Sequence, residues 1–160
     1  MRILFIISIL TFSLQVFSQG INFQLNTIEN KQTDFQSIRG NKITVFDFWA
    51  TWCKPCVQLM PKLNQIAEEY KENKAISIVG VNIDDPRSIN KVKPFINSIG
   101  VTYPVLYDTD KELADMLNVS AVPTMVIVDD EGNAIWFHEG YNFGDEELLK
   151  EKINELLTTK

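Results

Sequence analysis

Residues 42–50, "KITVFDFWA", form an almost unbroken run of apolar, β-branched and aromatic side chains. A strand with no polar face to turn to water has to be buried on both sides. That requirement shapes everything else, because helices must then lie above and below the sheet. The chain supplies them. "AISIVGVNI" (75–83) is a second run of the same kind, and between the two lie Val57, Leu59, Met60, Leu63, Ile66, Ala67 and Tyr70 at helical spacing. The spacing predicts a helix from about Pro55 to Glu72, with a kink at Pro61, whose ring and missing N–H disturb a helix interior.

The remaining elements follow the same logic. Residues 21–40 mix short apolar pieces with polar ones and read as a small hairpin ahead of the main fold. A helix is predicted near Ser88 to Ser98, with Ser88 or Asp85 available to cap it. An extended piece "YPVLYD" and a short helix "DKELADMLNV" come next. "TMVIVDDEGNAIWFHEGY" reads as two apolar strands around a turn in which Gly132 and Asn133 suit positive φ. "DEELLKEKINELL" closes the chain as an amphipathic helix, with acidic residues at the end where the helix dipole favours them. Alternating strands and helices followed by a hairpin and helix predict one α/β domain: a central mixed sheet flanked by helices, with an antiparallel pair near the C-terminus.

At 160 residues, 45% of them hydrophobic, the chain can bury a substantial core. Its formal net charge of −6, with basic residues scattered, excludes the basic footprint of a nucleic-acid binder. The N-terminus is of a different kind: Arg2, then mostly apolar residues from Ile3 to Phe17, then small and polar ones. This is the layout of a secretory signal, with cleavage expected between Ser18 and Gln19 and the mature domain at 19–160. A membrane anchor is the rival reading, although the run is short for a bilayer and interrupted by Ser8, Thr11, Ser13 and Gln15. Export, to the periplasm or another extracytoplasmic space, would place the chain where disulfides persist.

The chain has two cysteines, Cys53 and Cys56, in "WCKPC". As a structural cross-link the pair would close too short a loop to restrain the unfolded chain much: about 2 kcal/mol, against about 5 for a 100-residue loop. As a zinc site it lacks ligands, since the sequence offers no third cysteine and only His138. Redox chemistry needs what is present. A strand running into "WCKPC" and on into a helix puts Cys53 at the helix N-terminus, where backbone N–H groups and the dipole favour thiolate. Cys56, one turn later, can reach back to resolve a mixed disulfide. Pro55 suits a first helical turn, and Lys54 adds a positive charge beside the attacking sulfur. His138, in the terminal hairpin, is expected to be exposed. The acids of "DDEGN" read as a hairpin turn, since calcium needs more ligands in a fixed loop.

From "VFDFWATWCKPC" through "VSAVPTMVIVDDEGNAI" the chain resembles the thioredoxin superfamily, and more narrowly its exported TlpA/ResA-like thiol–disulfide oxidoreductases. The likeness spans about residues 21 to 157. It implies a thioredoxin-like fold with an N-terminal hairpin and an extra strand–helix insertion, contained in residues 75–124. It also implies that Cys53 is an exposed nucleophile and Cys56 a buried resolving thiol. Pro123 would be cis and packed against the cysteines. Val122, Pro123 and Thr124 would meet an incoming peptide, the Val122 backbone pairing with it, beside a docking surface that includes Trp52. Asp47 aligns with the buried acid of thioredoxins, where burial raises its pKa and suits it to pass a proton to or from Cys56. Many exported relatives carry Glu three residues after the second cysteine; here Leu59 stands there, and Asp47 is expected to do that proton work. The resemblance implies a monomer that needs no bound cofactor, reduces disulfides of exported proteins and draws electrons from a membrane thiol carrier. The opposite direction, donating a disulfide, stays open, as the Lys-Pro dipeptide does not decide it. A peroxidase is disfavoured, because the peroxidatic cysteine of that related family sits in another local motif. A redox-inert peptide-binding module is disfavoured by the intact cysteines.

Overall fold

The structure is a computed structural model that describes residues 20–159. The expected signal segment therefore lies outside the described residues. Seven strands form one sheet in the order β2-β1-β5-β4-β3-β6-β7. The N-terminal hairpin is β1 (Gln24–Thr27) and β2 (Gln32–Asp34), followed by the short helix α1 (Phe35–Ile38). Then come β3 (Ile43–Trp49), α2 (Lys54–Tyr70), β4 (Ile76–Asn82), α3 (Ile89–Ile99), β5 (Val105–Tyr107) and α4 (Glu112–Met116). The chain ends with β6 (Thr124–Asp129), β7 (Ala134–Glu139) and α5 (Asp145–Thr158). β3, β4 and β5 are parallel, and β6 and β7 are antiparallel. This is the mixed sheet expected, with α3 and β5 as the insertion.

Every residue of β3 is buried, as its unbroken apolar run requires. Successive side chains point to opposite faces, and they feed two cores. Ile43, Val45 and Trp49 join residues of α2, α3 and α5 on one face, together with both cysteines. Phe46 and Phe48 join Phe35 of α1 and Leu113 and Ala114 of α4 on the other. Each fully buried large side chain contributes about 2 kcal/mol.

Pro61 lies inside α2, as expected, and leaves the Val57 carbonyl without its usual helical donor. Three local expectations change. Ser88 occupies the N-cap of α3 without a side-chain bond, and Asp85 accepts from the Arg87 N–H instead. Gly132 has positive φ but Asn133 does not; the Asn133 backbone and side chain both donate to Asp129. β7, read as an apolar strand, is the sheet edge, and Ile135 and Phe137 are exposed there.

Candidate active site

The sheet register brings the site together. Phe48 of β3 pairs with Thr124 of β6 in antiparallel sense. The end of β3, the start of β6 and the residues just beyond each therefore share one edge of the sheet. Thr124 also pairs with Glu139 of β7, and the Gly140 N–H bonds to the Pro123 carbonyl at 2.8 Å. Cys53, Pro123 and the loop into α5 thus converge at the carboxyl ends of the parallel strands, where open α/β sheets bind ligands.

Cys53 and Cys56 are joined in a disulfide, with Cα atoms 5.3 Å apart. Cys53 is the N-cap of α2, and its sulfur accepts the Cys56 N–H at 3.3 Å. Lys54 and Pro55 form the first turn of the helix, Lys54 exposed. The expectation that Cys53 is exposed is corrected. Only 3% of it reaches solvent, against 1% of Cys56, because the bridge tucks both sulfurs into the core beneath α2. Trp52, next to it, is 68% exposed and presents its indole to solvent.

The Val122–Pro123 bond is cis. Pro123 is buried and Val122 half-buried against the cysteine-bearing core. Among the described residues none bonds to the Val122 backbone. Thr124 is a second correction: it is fully buried, and its hydroxyl donates to the Ala121 carbonyl at 2.8 Å. It shapes the loop and has no side-chain surface to offer a peptide.

Asp47 is 1% exposed, which excludes an edge acid facing water. The alternation of β3 puts it on the face of Val45 and Trp49, the side that holds the cysteines. Burial pushes its carboxyl up to about 7, against a smaller pull downward from the Tyr103 hydroxyl, 3.5 Å from Oδ2. Its Oδ1 is buried without a partner, as is Trp49 Nε1. Leu59 is fully buried in the same core.

Two parts of the site escaped sequence reasoning. One is Tyr103, whose contact with Asp47 joins residues far apart in the chain. The other is Asp84, just beyond β4, which accepts the Thr51 N–H at 2.9 Å, the Thr51 hydroxyl at 3.0 Å and the Asn82 amide at 2.8 Å. It ties down the turn that leads into Trp52 and Cys53. The available signal for the first was Gly80: a glycine inside a buried strand marks a close approach. His138 is also corrected. It is half-buried, stacks on Trp136 and meets Asp145 at 3.1 Å.

Known proteins share this arrangement. The thiol-disulfide oxidoreductase ResA of Bacillus anthracis is 30% identical over 122 residues, covering 76% of this chain and 68% of that protein. The thioredoxin-like protein YneN of Bacillus subtilis is 34% identical over 123 residues, covering 76% and 70%. A solved structure from Chlorobium tepidum, described as a candidate thiol:disulfide interchange protein DsbE, superposes with a TM-score of 0.77 at 26% identity, covering 87% of this chain and 95% of that one. Residues 16–136 match the AhpC/TSA family, so that the fold, the cysteine pair and the relatives agree: the chain belongs to that family and is a thiol–disulfide oxidoreductase of the thioredoxin-like type.

Proposed function

We propose that the chain is an exported reductase that uses Cys53 and Cys56 to reduce disulfides in other exported proteins. The observation that carries the assignment of the pair is its placement: Cys53 Sγ caps α2 and takes the Cys56 N–H at 3.3 Å. The same helix terminus would stabilise negative sulfur once the bridge is opened. The Cys53 thiolate attacks one sulfur of the partner disulfide; that bond breaks, and a mixed disulfide forms as the first partner thiolate leaves and is protonated. The Cys56 thiol gives its proton to Asp47 and attacks Cys53 Sγ. The mixed disulfide breaks, the second partner thiolate leaves and is protonated, and Cys53–Cys56 is left oxidised. Two electrons and two protons have passed to the partner. A membrane thiol carrier returns the electrons and reopens the bridge, with no bound cofactor.

The partner peptide would lie along the Val122 backbone, over Pro123 and against Trp52, with the enzyme acting as a monomer. The apolar N-terminus, residues 1–18, serves as the export signal in this reading, and the sequence of the secreted protein should begin at Gln19. Among the described residues no helix is long and apolar enough to cross a membrane.

Reduction of insulin disulfides by the wild-type protein, abolished in Cys53→Ser, tests the reading. The direction is tested by the reduction potential of the pair in a glutathione or dithiothreitol buffer. A value near about −120 mV, the range of a strong oxidant, would overturn the reductase assignment. Replacing Asp47 with Asn and following resolution by Cys56 across pH tests the proton relay; an unchanged profile sinks that part.

A further inference from the structure

Gly80 of β4 is the register partner of Asp47. A Cβ on Gly80 would sit 3.1 Å from Tyr103 Cε2 and 3.3 Å from Trp49 Nε1. The missing side chain is therefore what lets the phenol and the indole close over the strand beside the acid. Tyr103 is 6% exposed, and its hydroxyl donates to Asp47 Oδ2 across 3.5 Å, a loose hold for an O–H···O pair. Tyr103 also lines a cavity of about 230 Å³ between the end of α2, the first half of β4 and the segment 102–104 that leads into β5. Ile78 lines the same cavity and lies on the same face of β4 as Gly80, about 7 Å back along the strand. Glu68 and Lys71, an exposed ion pair, stand on the α2 side of it. Tyr103 is thus shared between a solvent-facing cavity and the buried acid, at the end of Asp47's surroundings away from Cys53.

We propose that Tyr103 is a positioning residue of the redox centre. Its hydroxyl orients the Asp47 carboxyl, and its ring keeps the solvent of the cavity from reaching that carboxyl, so the phenol governs how readily Asp47 takes up and releases its proton. This rests on the reading of Asp47 as the proton relay for Cys56. The groups facing Asp47 leave few competitors. β4 sets Gly80 beside it and β6 Met125, neither of which titrates. The titratable members of that core are Cys53, Cys56 and Tyr103, with Tyr70, Tyr107 and Tyr141 packed at its margin. The other buried acids among the described residues are Asp84, Asp108 and Glu146, and the causes that shift Asp47 are burial and the Tyr103 hydroxyl.

The two functions of Tyr103 predict shifts of opposite sign. In Tyr103→Phe the ring and the wall stay while the hydroxyl goes, so the carboxylate loses a donor. The Asp47 titration, read by carboxyl carbon NMR on the oxidised protein, should move up by about half a unit, or about threefold in proton affinity. In Tyr103→Ala the wall goes and water from the cavity reaches the acid. The same titration should then move down by about one unit or more, towards an ordinary carboxylate. The pH profile of resolution by Cys56 should follow each shift, and neither replacement should move that profile further in an Asp47→Asn background. An unmoved titration in Tyr103→Phe overturns the proposal by itself, whether or not Tyr103→Ala folds. So do shifts of the same sign in both variants. If the titrations move as stated while Asp47→Asn leaves the resolution profile unchanged, the control by Tyr103 stands and the relay reading is what fails.

Discussion

Asp47 and Asp84 are equally buried, each 1% exposed, yet they are held in opposite ways. Asp84 accepts three hydrogen bonds of 3.0 Å or shorter, two of them from Thr51 beside the redox pair. Asp47 has one bond at 3.5 Å and an oxygen with no partner. Burial takes the same hydration from both, but the fold aims three close donors at Asp84 and one distant hydroxyl at Asp47. Asp47 is pushed up to about 7, where a proton moves easily near neutral pH. Burial alone therefore does not mark a working carboxylate. What separates the two is how many donors the fold aims at each.

The widest gap between them should appear in the pH dependence of stability. The folded protein holds the Asp47 proton up to about pH 7, whereas the unfolded chain releases it near 3.8. Below 3.8 both states are protonated and the group makes no difference. Between there and 7 only the unfolded state ionises, so stability falls as pH rises, and above 7 the loss levels off. The full loss is about 4 kcal/mol. Asp47→Asn removes that slope, so in urea titrations its stability relative to wild type should climb by that amount between pH 4 and 7. The slope is the readout, because the buried amide adds a constant offset of its own. A difference that stays flat with pH would mean that Asp47 is compensated after all. Asp84→Ala should behave in the opposite way at pH 7. It removes the acceptor of the part-buried Thr51 N–H and hydroxyl and strands the Asn82 amide in the interior, a loss of about 3 kcal/mol. It should also loosen the turn before Cys53, so that insulin reduction falls along with stability. A variant as stable as wild type would break the comparison from the other side.

The apolar runs around Val45 and Val79 showed the two central strands in the sequence, since a segment without a polar face has one place to go. The spacing from Val57 to Tyr70 showed α2 for the same reason. The cysteine pair was legible from its spacing at the junction of strand and helix. What stayed hidden was set by pairing between distant segments. Tyr103 meets Asp47 because β4 lies between β3 and β5 and carries a glycine at the crossing point; no local pattern contains that fact. Thr124 looked available because it adjoins Pro123, yet strand pairing on both sides buries it. The exposure of Ile135 and Phe137 depends on β7 ending the sheet, and a single apolar segment does not reveal whether it lies at a centre or an edge. Cys53 was misjudged for a related reason: helix position says where a sulfur points along the chain, but the depth of the bridge depends on what packs over it.

Asp108 supplies an intermediate case and the smallest effect. It is fully buried, and its two oxygens accept the Leu113 and Ala114 N–H groups at 3.2 and 2.9 Å. Burial still raises its carboxyl above the ordinary range, and these backbone donors pull against that rise. The bonds matter to α4 because Lys111 occupies the helix N-cap with a left-handed backbone and makes no side-chain capping bond. Asp108 therefore caps a five-residue helix from the preceding strand end. Asp108→Ala should cost about 1 kcal/mol, the usual loss on removing a capping oxygen. Because Asp108 accepts two hydrogen bonds where Asp84 accepts three, the cost should be smaller than for Asp84→Ala. Hydrogen exchange should localise the change, with protection lost at Leu113 and Ala114 and kept in β3 and β4. If Asp108→Ala proves the more damaging of the two, the number and depth of donors no longer rank the buried acids. The contrast between Asp47 and Asp84 would then need a different cause, such as strain in the turn before the cysteines.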